Sequence, residues 1–242
     1  MATARLSRLP MLSQIPTHLI AGPLGAGKTS LIRHLLAHKP ADERWAVLIN
    51  EFGQIGLDQA LLTTAADGIS LAEVPGGCLC CVNGAPFQVG LARLLRQARP
   101  DRLLIEPSGL GHPAELLAQL AEPPWAGVLA LQPLLLVLDA AALAAGQPLP
   151  ASQQAALGLA GLLLLNKAEQ LDDASRARLQ AQLPALPLYW TTQGQLPLNA
   201  VPGIDARAQA AGAALPLPEG GAALSALWRD PREPICQVQD QA

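Results

Sequence analysis

A glycine-rich segment that ends in a lysine and two hydroxyl side chains has the residue types needed to bind a polyphosphate. From Gly22 to Thr29 the chain has the sequence GPLGAGKT, which matches the phosphate-binding pattern G-x-x-x-x-G-K-T. Glycines allow successive backbone N–H groups to approach a phosphate, and the helix that follows directs its positive end at the same anion. Lys28 supplies a positive charge, and the Thr29 hydroxyl can bind Mg²⁺. The predicted phosphate-binding residues are Gly22, Gly25, Ala26, Gly27, Lys28, Thr29 and Ser30.

An acid at the end of an apolar run is a second candidate for this chemistry. Glu106 follows the run RLLI at 102–105 and precedes Pro107-Ser108-Gly109. A carboxylate in this place can hold Mg²⁺ through water or orient an attacking water. Gly109 allows a backbone N–H to approach a γ-phosphate. A solvated acid at a strand end is the alternative, but the phosphate-binding segment in the same chain favours a catalytic role for Lys28 and Glu106.

The segment Asn166-Lys167-Ala168-Glu169 is similar to the pattern N-K-x-D, with which GTPases recognise guanine. In that pattern the Asn contacts the base edge, the Lys stem lies on the ring, and the acid accepts hydrogen bonds from the base. Glu169 is one methylene longer than Asp but keeps both acceptor oxygens. We therefore predict that the base of the bound nucleotide is guanine. The alternative is that this segment is an ordinary polar strand end. The segment Thr191-Thr192-Gln193 could form the other wall of the base pocket.

Three thiols lie within four residues in Cys78-Leu79-Cys80-Cys81, directly after two glycines. Thiolates suit Zn²⁺ and Cu⁺, and other divalent transition ions are alternatives. Three protein sulfurs leave one tetrahedral position open, which suits transfer better than permanent structure. The candidates for the fourth ligand are Glu51, in a glycine-punctuated segment at 51–58, His112, water and a residue of a partner. Buried small residues or a redox pair are the other interpretations of these cysteines.

Alternating apolar runs and helical patterns predict the elements that position these residues. Strands are predicted at 17–21, 45–50, 69–74, 102–105, 134–138, 161–165 and 187–190, and helices from the glycine-rich loop to about 38 and at 87–99, 113–121 and 173–183. The strands are continuous apolar runs, which is typical of a parallel sheet covered on both faces. Ligands bind at the carboxyl ends of such strands, where the polar motifs fall. We predict an α/β fold, a P-loop NTPase three-layer sandwich with a mostly parallel sheet.

Composition limits the class of protein and its partners. The chain has 242 residues, half of them hydrophobic, and a net charge of −3 without a long basic stretch. These properties argue against nucleic acid or a membrane as a partner. The first residues lack the continuous apolar region of a secretory signal, so we expect a cytoplasmic protein with reduced thiols. We predict an N-terminal extension at 1–15, a P-loop GTPase domain at 16–192, and a Pro/Ala/Gly-rich tail at 193–242.

Taken together, six motifs resemble the CobW-like GTPases, which are metal-chaperone P-loop proteins related to the nickel-insertion GTPases of urease and hydrogenase. The motifs are GPLGAGKTS, INEFGQIGLD, PGGCLCC, IEPSGLGHP, VLDA and NKAE, and the resemblance covers roughly residues 16–192. It implies GTP hydrolysis coupled to the binding of zinc or cobalt and its delivery to a client metalloprotein. It also implies roles for single residues: Glu51 and Glu106 serve Mg²⁺, water or metal, Cys78, Cys80 and Cys81 bind the delivered metal, and Asn166, Lys167 and Glu169 recognise guanine.

Two departures from the family pattern bear on these expectations. Glu169 replaces the usual Asp, and about fifty residues without histidine follow the GTPase core, where the family commonly has a second domain. We therefore expect that domain to be reduced or absent, and a homodimer stays an open alternative. Two other functions compete: a P-loop kinase of a small metabolite, and a GTP-binding metal sensor with little turnover. The arginines that a kinase lid would need (Arg93, Arg96 and Arg99) share one predicted helix face, which suits a solvated surface better.

Overall fold

The computed structural model describes residues 11–49, 68–73 and 85–211, and its central element is an eight-stranded sheet. The strands are β1 (Met11–Ser13), β2 (Ile15–Ala21), β3 (Trp45–Ile49), β4 (Ile69–Glu73), β5 (Arg102–Glu106), β6 (Leu129–Leu131), β7 (Leu134–Asp139), β8 (Ala160–Asn166), β9 (Leu188–Trp190) and β10 (Gln209–Ala211). The helices are α1 (Lys28–Ala37), α2 (Ala85–Ala98), α3 (Pro113–Ala121), α4 (Ala140–Ala144), α5 (Ala151–Leu157) and α6 (Asp173–Gln182). Among these described residues, no helix combines the length and the hydropathy needed to cross a membrane.

The sheet confirms the predicted α/β fold. Its strand order is β4-β3-β5-β2-β7-β8-β9, with β6 also paired to β2, and all of these pairings are parallel. Leu19 of β2 packs in an apolar cluster with Leu91 of α2 and Leu116 of α3. The next residue, Ile20, packs on the opposite face in a second cluster with Leu31 of α1. Because helices bury both faces, the strands need no polar alternation, and the three layers are those predicted.

The polar residues at the strand ends are brought to one edge of the sheet. β5, β7 and β8 each extend one residue beyond the predicted apolar run, to Glu106, Asp139 and Asn166. Asp139 is paired with Asn166, and Glu106 is paired with Ile49 at the end of β3. The sequence does not predict β1, β6, β10, α4 or α5, because these elements are too short to show a hydrophobic period.

Residues 193–211, at the start of the segment predicted as a Pro/Ala/Gly-rich tail, pack against the core. Leu196 and Val201 are buried in the same cluster as α1. A short 3₁₀ helix at Leu198–Ala200 lies between them, and β10 pairs antiparallel with β1. Single apolar anchors of this kind leave no periodic signal in a sequence rich in Ala, Pro and Gly. The packed part of the chain therefore continues past residue 192.

A buried polar cluster holds this C-terminal segment to the sheet at the end opposite the strand-end acids. The guanidinium of Arg102, at the start of β5, donates to the carbonyls of Ile204 and Ala206 at 2.5 and 2.9 Å. It also lies 2.6 Å from His18 Nε2 and 3.6 Å from a carboxylate oxygen of Glu43. Burial and the positive charge of Arg102 lower the pKa of His18 to about 3, so this imidazole is neutral and Nε2 accepts.

Candidate nucleotide-binding site

The loop between β2 and α1 has a backbone that requires glycine. Gly22, Gly25 and Gly27 have φ angles of 147°, 75° and 103°, which side chains rarely allow. A Cβ on Gly22 would lie 2.0 Å from the carbonyl oxygen of Val137, and one on Gly27 would lie 2.1 Å from Nδ2 of Asn166. Gly27 is the N-cap of α1 and no side chain caps the helix. The first-turn N–H groups of α1 are therefore directed at the place where a phosphate would bind.

Lys28, Thr29 and Glu106 lie together at the start of α1. The Lys28 side chain is buried, and its ammonium donates to the carbonyl of Pro23 at 3.2 Å, which folds it back over the loop. The Thr29 hydroxyl donates to Glu106 Oε1 at 2.8 Å, and Glu106 is fully buried. A hydroxyl and a carboxylate are hard oxygen ligands of the kind Mg²⁺ prefers, so this pair fits the predicted ion. The structure thus places the predicted Lys28, Thr29 and Glu106 within one small region.

The segment after β5 contacts the phosphate loop directly. A Cβ on Gly109 would lie 2.5 Å from the backbone nitrogen of Leu24, so only glycine permits this approach. Gln153 of α5 is fully buried and donates from Nε2 to the carbonyl of Gly109 at 3.4 Å. Gln153 could not be predicted from the sequence, because no motif marks one buried amide in a short helix. Gly109 is therefore held between Leu24 of the phosphate loop and Gln153 of α5. This places it beside the loop, as its predicted approach to a γ-phosphate requires.

Asn166 joins the phosphate loop to the last part of the fold. Its side chain is 3% exposed, donates from Nδ2 to the carbonyl of Ala26 at 2.8 Å, and accepts from the backbone N–H of Gly194 at 3.0 Å. A carboxamide has two N–H donors and two acceptor lone pairs, so one of each is left for a base edge. Asn166 therefore positions two loops in this structure, and its contact with guanine stays a prediction.

Lys167 and Glu169 are each held by a partner that shapes the same region. Lys167 has a left-handed backbone with φ 61°, and its ammonium is paired with the carboxylate of Asp139. Asp139 also caps α4 by accepting from the backbone N–H of Ala142 at 2.9 Å. Glu169 is exposed and accepts from the Thr192 hydroxyl at 2.8 Å. Two of the predicted base-recognition residues thus have defined partners: Lys167 pairs with Asp139, and Glu169 accepts from Thr192, in the segment predicted as the other wall of the base pocket.

A cleft of about 510 Å³ connects the two motifs. Its walls are formed by Gly25, Gly27, Ser30, Arg33, Asn166, Lys167, Glu169, Gln170 and Gln193. The volume falls in the range of roughly 300–1,000 Å³ that is usual for small-molecule sites. Arg33 and Gln170 could not be predicted from the sequence, because a polar residue on a solvent-facing helix turn is not distinguishable from an ordinary surface residue. The cleft brings the phosphate loop and the N-K-x-E segment to a single site.

The remaining predicted metal residues, Glu51, Cys78, Cys80 and Cys81, lie outside the described residues. Among the residues that the structure does describe, no group of three or more His, Cys, Asp or Glu side chains could hold a metal ion. The segments with Glu51 and the cysteines follow β3 and β4, whose last residues, Ile49 and Glu73, are paired. Ile49 is paired on its other side with Glu106. Strands β3 and β4 therefore end at the same edge of the sheet as Glu106.

Comparison with known proteins decides the family. Residues 16–187 match the family described as CobW/HypB/UreG, nucleotide-binding domain. The chain belongs to this family. Membership confirms the resemblance drawn from the six motifs.

Three relatives show how far the likeness extends. The chain is 58% identical over 123 residues to the zinc chaperone YeiR of Escherichia coli, covering 51% of this chain and 37% of YeiR. It is 33% identical over 238 residues to the zinc chaperone CobW of Pseudomonas aeruginosa, covering 83% of this chain and 63% of that protein. The crystal structure of Zn(II)-bound YjiA GTPase from E. coli matches with a TM-score of 0.56 and 25% identity, covering 77% of this chain and 60% of that one. The chain therefore spans less than two thirds of each relative.

Proposed function

We propose that this chain is the nucleotide-binding part of a GTP-hydrolysing zinc chaperone, in which GTP binding and hydrolysis control delivery of zinc to a client metalloprotein. The observation that carries the proposal is the cleft lined by both the phosphate loop and the N-K-x-E segment. Two relatives are named zinc chaperones, and a third is a Zn(II)-bound GTPase, YjiA. These names support GTP and zinc as the ligands of this chain, and they favour zinc over cobalt as the metal. We also propose a cytoplasmic location, because thiol ligands stay reduced there.

The triphosphate in this proposal lies on the loop from Gly22 to Ser30. Lys28 neutralises charge on the β- and γ-phosphates, and the α1 N-terminus donates backbone N–H groups to them. Thr29 and Glu106 would hold Mg²⁺, which when bound supplies positive charge to the phosphates during transfer. Glu106 also orients the attacking water, and the Gly109 N–H is placed to donate to the γ-phosphate. The contacts among Thr29, Glu106 and the loop support these proposed roles.

Guanine selectivity in this proposal depends on the Glu169 carboxylate. Guanine differs from hypoxanthine only by its 2-amino group, which a carboxylate can accept. We expect Glu169→Ala to weaken GTP binding by about tenfold to a hundredfold, corresponding to roughly 1.5–3 kcal/mol for a charge-assisted hydrogen bond. The affinity for ITP, which lacks the amino group, should fall much less in the same variant. Competition binding of GTP and ITP to both proteins measures the ratio, and an equal loss for the two nucleotides would contradict a role for Glu169 at the 2-amino group.

We propose a three-thiolate zinc site near the phosphate edge. The proposed ligands are Cys78, Cys80 and Cys81. Three thiolates occupy three of the four positions of tetrahedral zinc and leave the fourth for Glu51, for water or for a client residue. The support for coupling is topological: β3 and β4, which precede Glu51 and the cysteines in the sequence, end at Ile49 and Glu73, and Ile49 is paired with Glu106 at the end of β5. We therefore expect that nucleotide binding at Glu106 and the phosphate loop changes the affinity of the cysteine site for zinc.

The coupling is tested by measuring zinc and nucleotide together. We expect the zinc affinity of the full chain, measured against a chromophoric chelator, to change at least about threefold on addition of GTP·Mg²⁺. The variant Cys78→Ser with Cys80→Ser should abolish this change, because a single thiolate cannot hold zinc in competition with the chelator. Cys236→Ser is the matched control, since it removes a thiol outside the motif. Equal zinc affinity with and without GTP·Mg²⁺ in the parent chain would show that the coupling is wrong.

A further inference from the structure

Two histidines at the end of α1 have rings that lie side by side. His34 is in the last turn of the helix, and His38, four residues later, is its C-cap residue. Their ring centroids are 4.2 Å apart, with an angle of 36° between the ring planes. His34 is partly buried and His38 is exposed. The nucleotide site uses neither ring.

A hydrogen bond to the backbone leaves one nitrogen of the His38 ring without a proton. His38 Nδ1 lies 2.8 Å from the carbonyl oxygen of His34, and because a carbonyl only accepts, Nδ1 carries the proton. The neutral His38 ring therefore keeps a lone pair on Nε2. Burial and the nearby His38 lower the pKa of His34, whereas the Leu196 backbone raises it.

This arrangement is the one that metal-binding histidines need. A ligating imidazole usually donates its second ring N–H to a carboxylate, a carbonyl or water, which orients the ring and makes the other nitrogen a better ligand. His38 has such a bond already, to the carbonyl oxygen of His34. Two histidines four residues apart on a helix can bind the same zinc ion, as the H-E-x-x-H pattern illustrates. Imidazole nitrogens suit Zn²⁺, Cu²⁺ and Ni²⁺.

We propose that His34 and His38 form a second metal site for a borderline divalent cation, with Zn²⁺ as the ion to test, separate from the cysteine motif. Two protein ligands leave two tetrahedral positions to water or to a partner's side chain, so the ion exchanges readily. The site is therefore suited to acquiring or passing on a metal rather than storing it. His34 lies about 9 Å along α1 from Lys28, so the same helix carries the phosphate residues at one end and the metal ligands at the other. The proposal does not depend on GTP hydrolysis.

The test removes the thiols and then one histidine. In the nucleotide-free full chain with Cys78, Cys80, Cys81 and Cys236 all changed to Ser, we expect Zn²⁺ binding to persist at a single site. Adding His38→Gln should lower that affinity at least about tenfold, because loss of a ligand costs no less than the roughly 10- to 100-fold typical of losing its hydrogen-bonding support. His112→Gln is the matched control, because His112 is exposed and lies outside α1. His38 is exposed as well, so its replacement leaves the fold intact.

A second readout locates the ion. Zn²⁺ should protect His34 and His38, but not His112, from acylation by diethyl pyrocarbonate in the cysteine-free chain, as mapped by mass spectrometry. The proposal is wrong if the cysteine-free chain binds no Zn²⁺, or if His38→Gln and His112→Gln affect affinity equally. Either result would leave the cysteine site standing. Conversely, absence of a GTP effect on zinc affinity would overturn the coupling proposed above and leave the histidine site unaffected.

Discussion

Glu106→Gln should lower kcat for GTP hydrolysis by at least about 100-fold, the scale associated with losing one preorganised electrostatic group in an active site. Glu106 is fully buried and accepts from the Thr29 hydroxyl at 2.8 Å. Glutamine has the same shape, and its carbonyl oxygen can still accept that hydrogen bond. The substitution therefore removes the negative charge that would hold Mg²⁺ or orient water, while it keeps the packing.

The measurement is phosphate release under single-turnover conditions at saturating GTP·Mg²⁺. Glu115→Gln is a suitable control, because it makes the same change at an exposed position in the first turn of α3. The thermal midpoint of the Glu106→Gln variant should stay close to that of the parent. A kcat within about threefold of the parent would show that Glu106 is a structural acid and that another residue serves the reaction.

Arg102→Met should lower the free energy of unfolding by about 3–5 kcal/mol, the cost of removing one partner from a buried ion pair. Arg102 is 1% exposed and supplies hydrogen bonds to His18 and to the carbonyls of Ile204 and Ala206. Methionine fills much of the space but donates nothing. The variant therefore leaves the buried Glu43 carboxylate without its ion pair to Arg102, and it leaves the two carbonyls without the N–H groups that donate to them.

A neighbouring surface pair offers a matched control for this loss. Arg44 is paired with Asp101 at 3.1 Å, with about half of its side chain exposed, so Arg44→Met should cost less than about 1 kcal/mol. Urea unfolding of both variants gives the comparison. GTP affinity of folded Arg102→Met should be unchanged, because Arg102 and Glu106 lie at opposite ends of β5, about 13 Å apart. Equal losses at Arg102 and Arg44 would contradict the role of Arg102 as a buried anchor.

The anchor also explains why the end of the described chain belongs to the fold. Glu43 receives a hydrogen bond from the Trp45 indole at 2.7 Å and an ion pair from Arg207 at 3.1 Å, so the strand β3 and the segment after Val201 share one carboxylate. No local pattern in the sequence marks Arg207 or the carbonyls around it. These groups come together only after the sheet has placed Glu43 and Arg102 side by side. The stability of the segment is therefore a property of the assembled sheet.

The nucleotide site could be predicted from sequence because its chemistry depends on local backbone. The phosphate loop needs glycines at fixed spacing, since Gly22 and Gly27 have backbone angles and neighbours that exclude a Cβ. The continuous apolar runs likewise predicted parallel strands, because burial on both faces removes any polar alternation. Strand-end positions of Glu106 and Asn166 then followed from the direction shared by parallel strands.

By itself, the sequence determined the phosphate loop, the N-K-x-E segment, the cysteine motif and the α/β fold, because each depends on residues close together in the chain. Only the tertiary structure decided the partners across the sheet. Asn166 bonds Ala26 and Gly194, Lys167 pairs with Asp139, and Arg102 holds the segment around Ile204. These contacts join residues distant in sequence, and their geometry depends on strand order and register. A side chain with two acceptors or several donors can satisfy many partners, so its actual partner is selected by the packing that surrounds it.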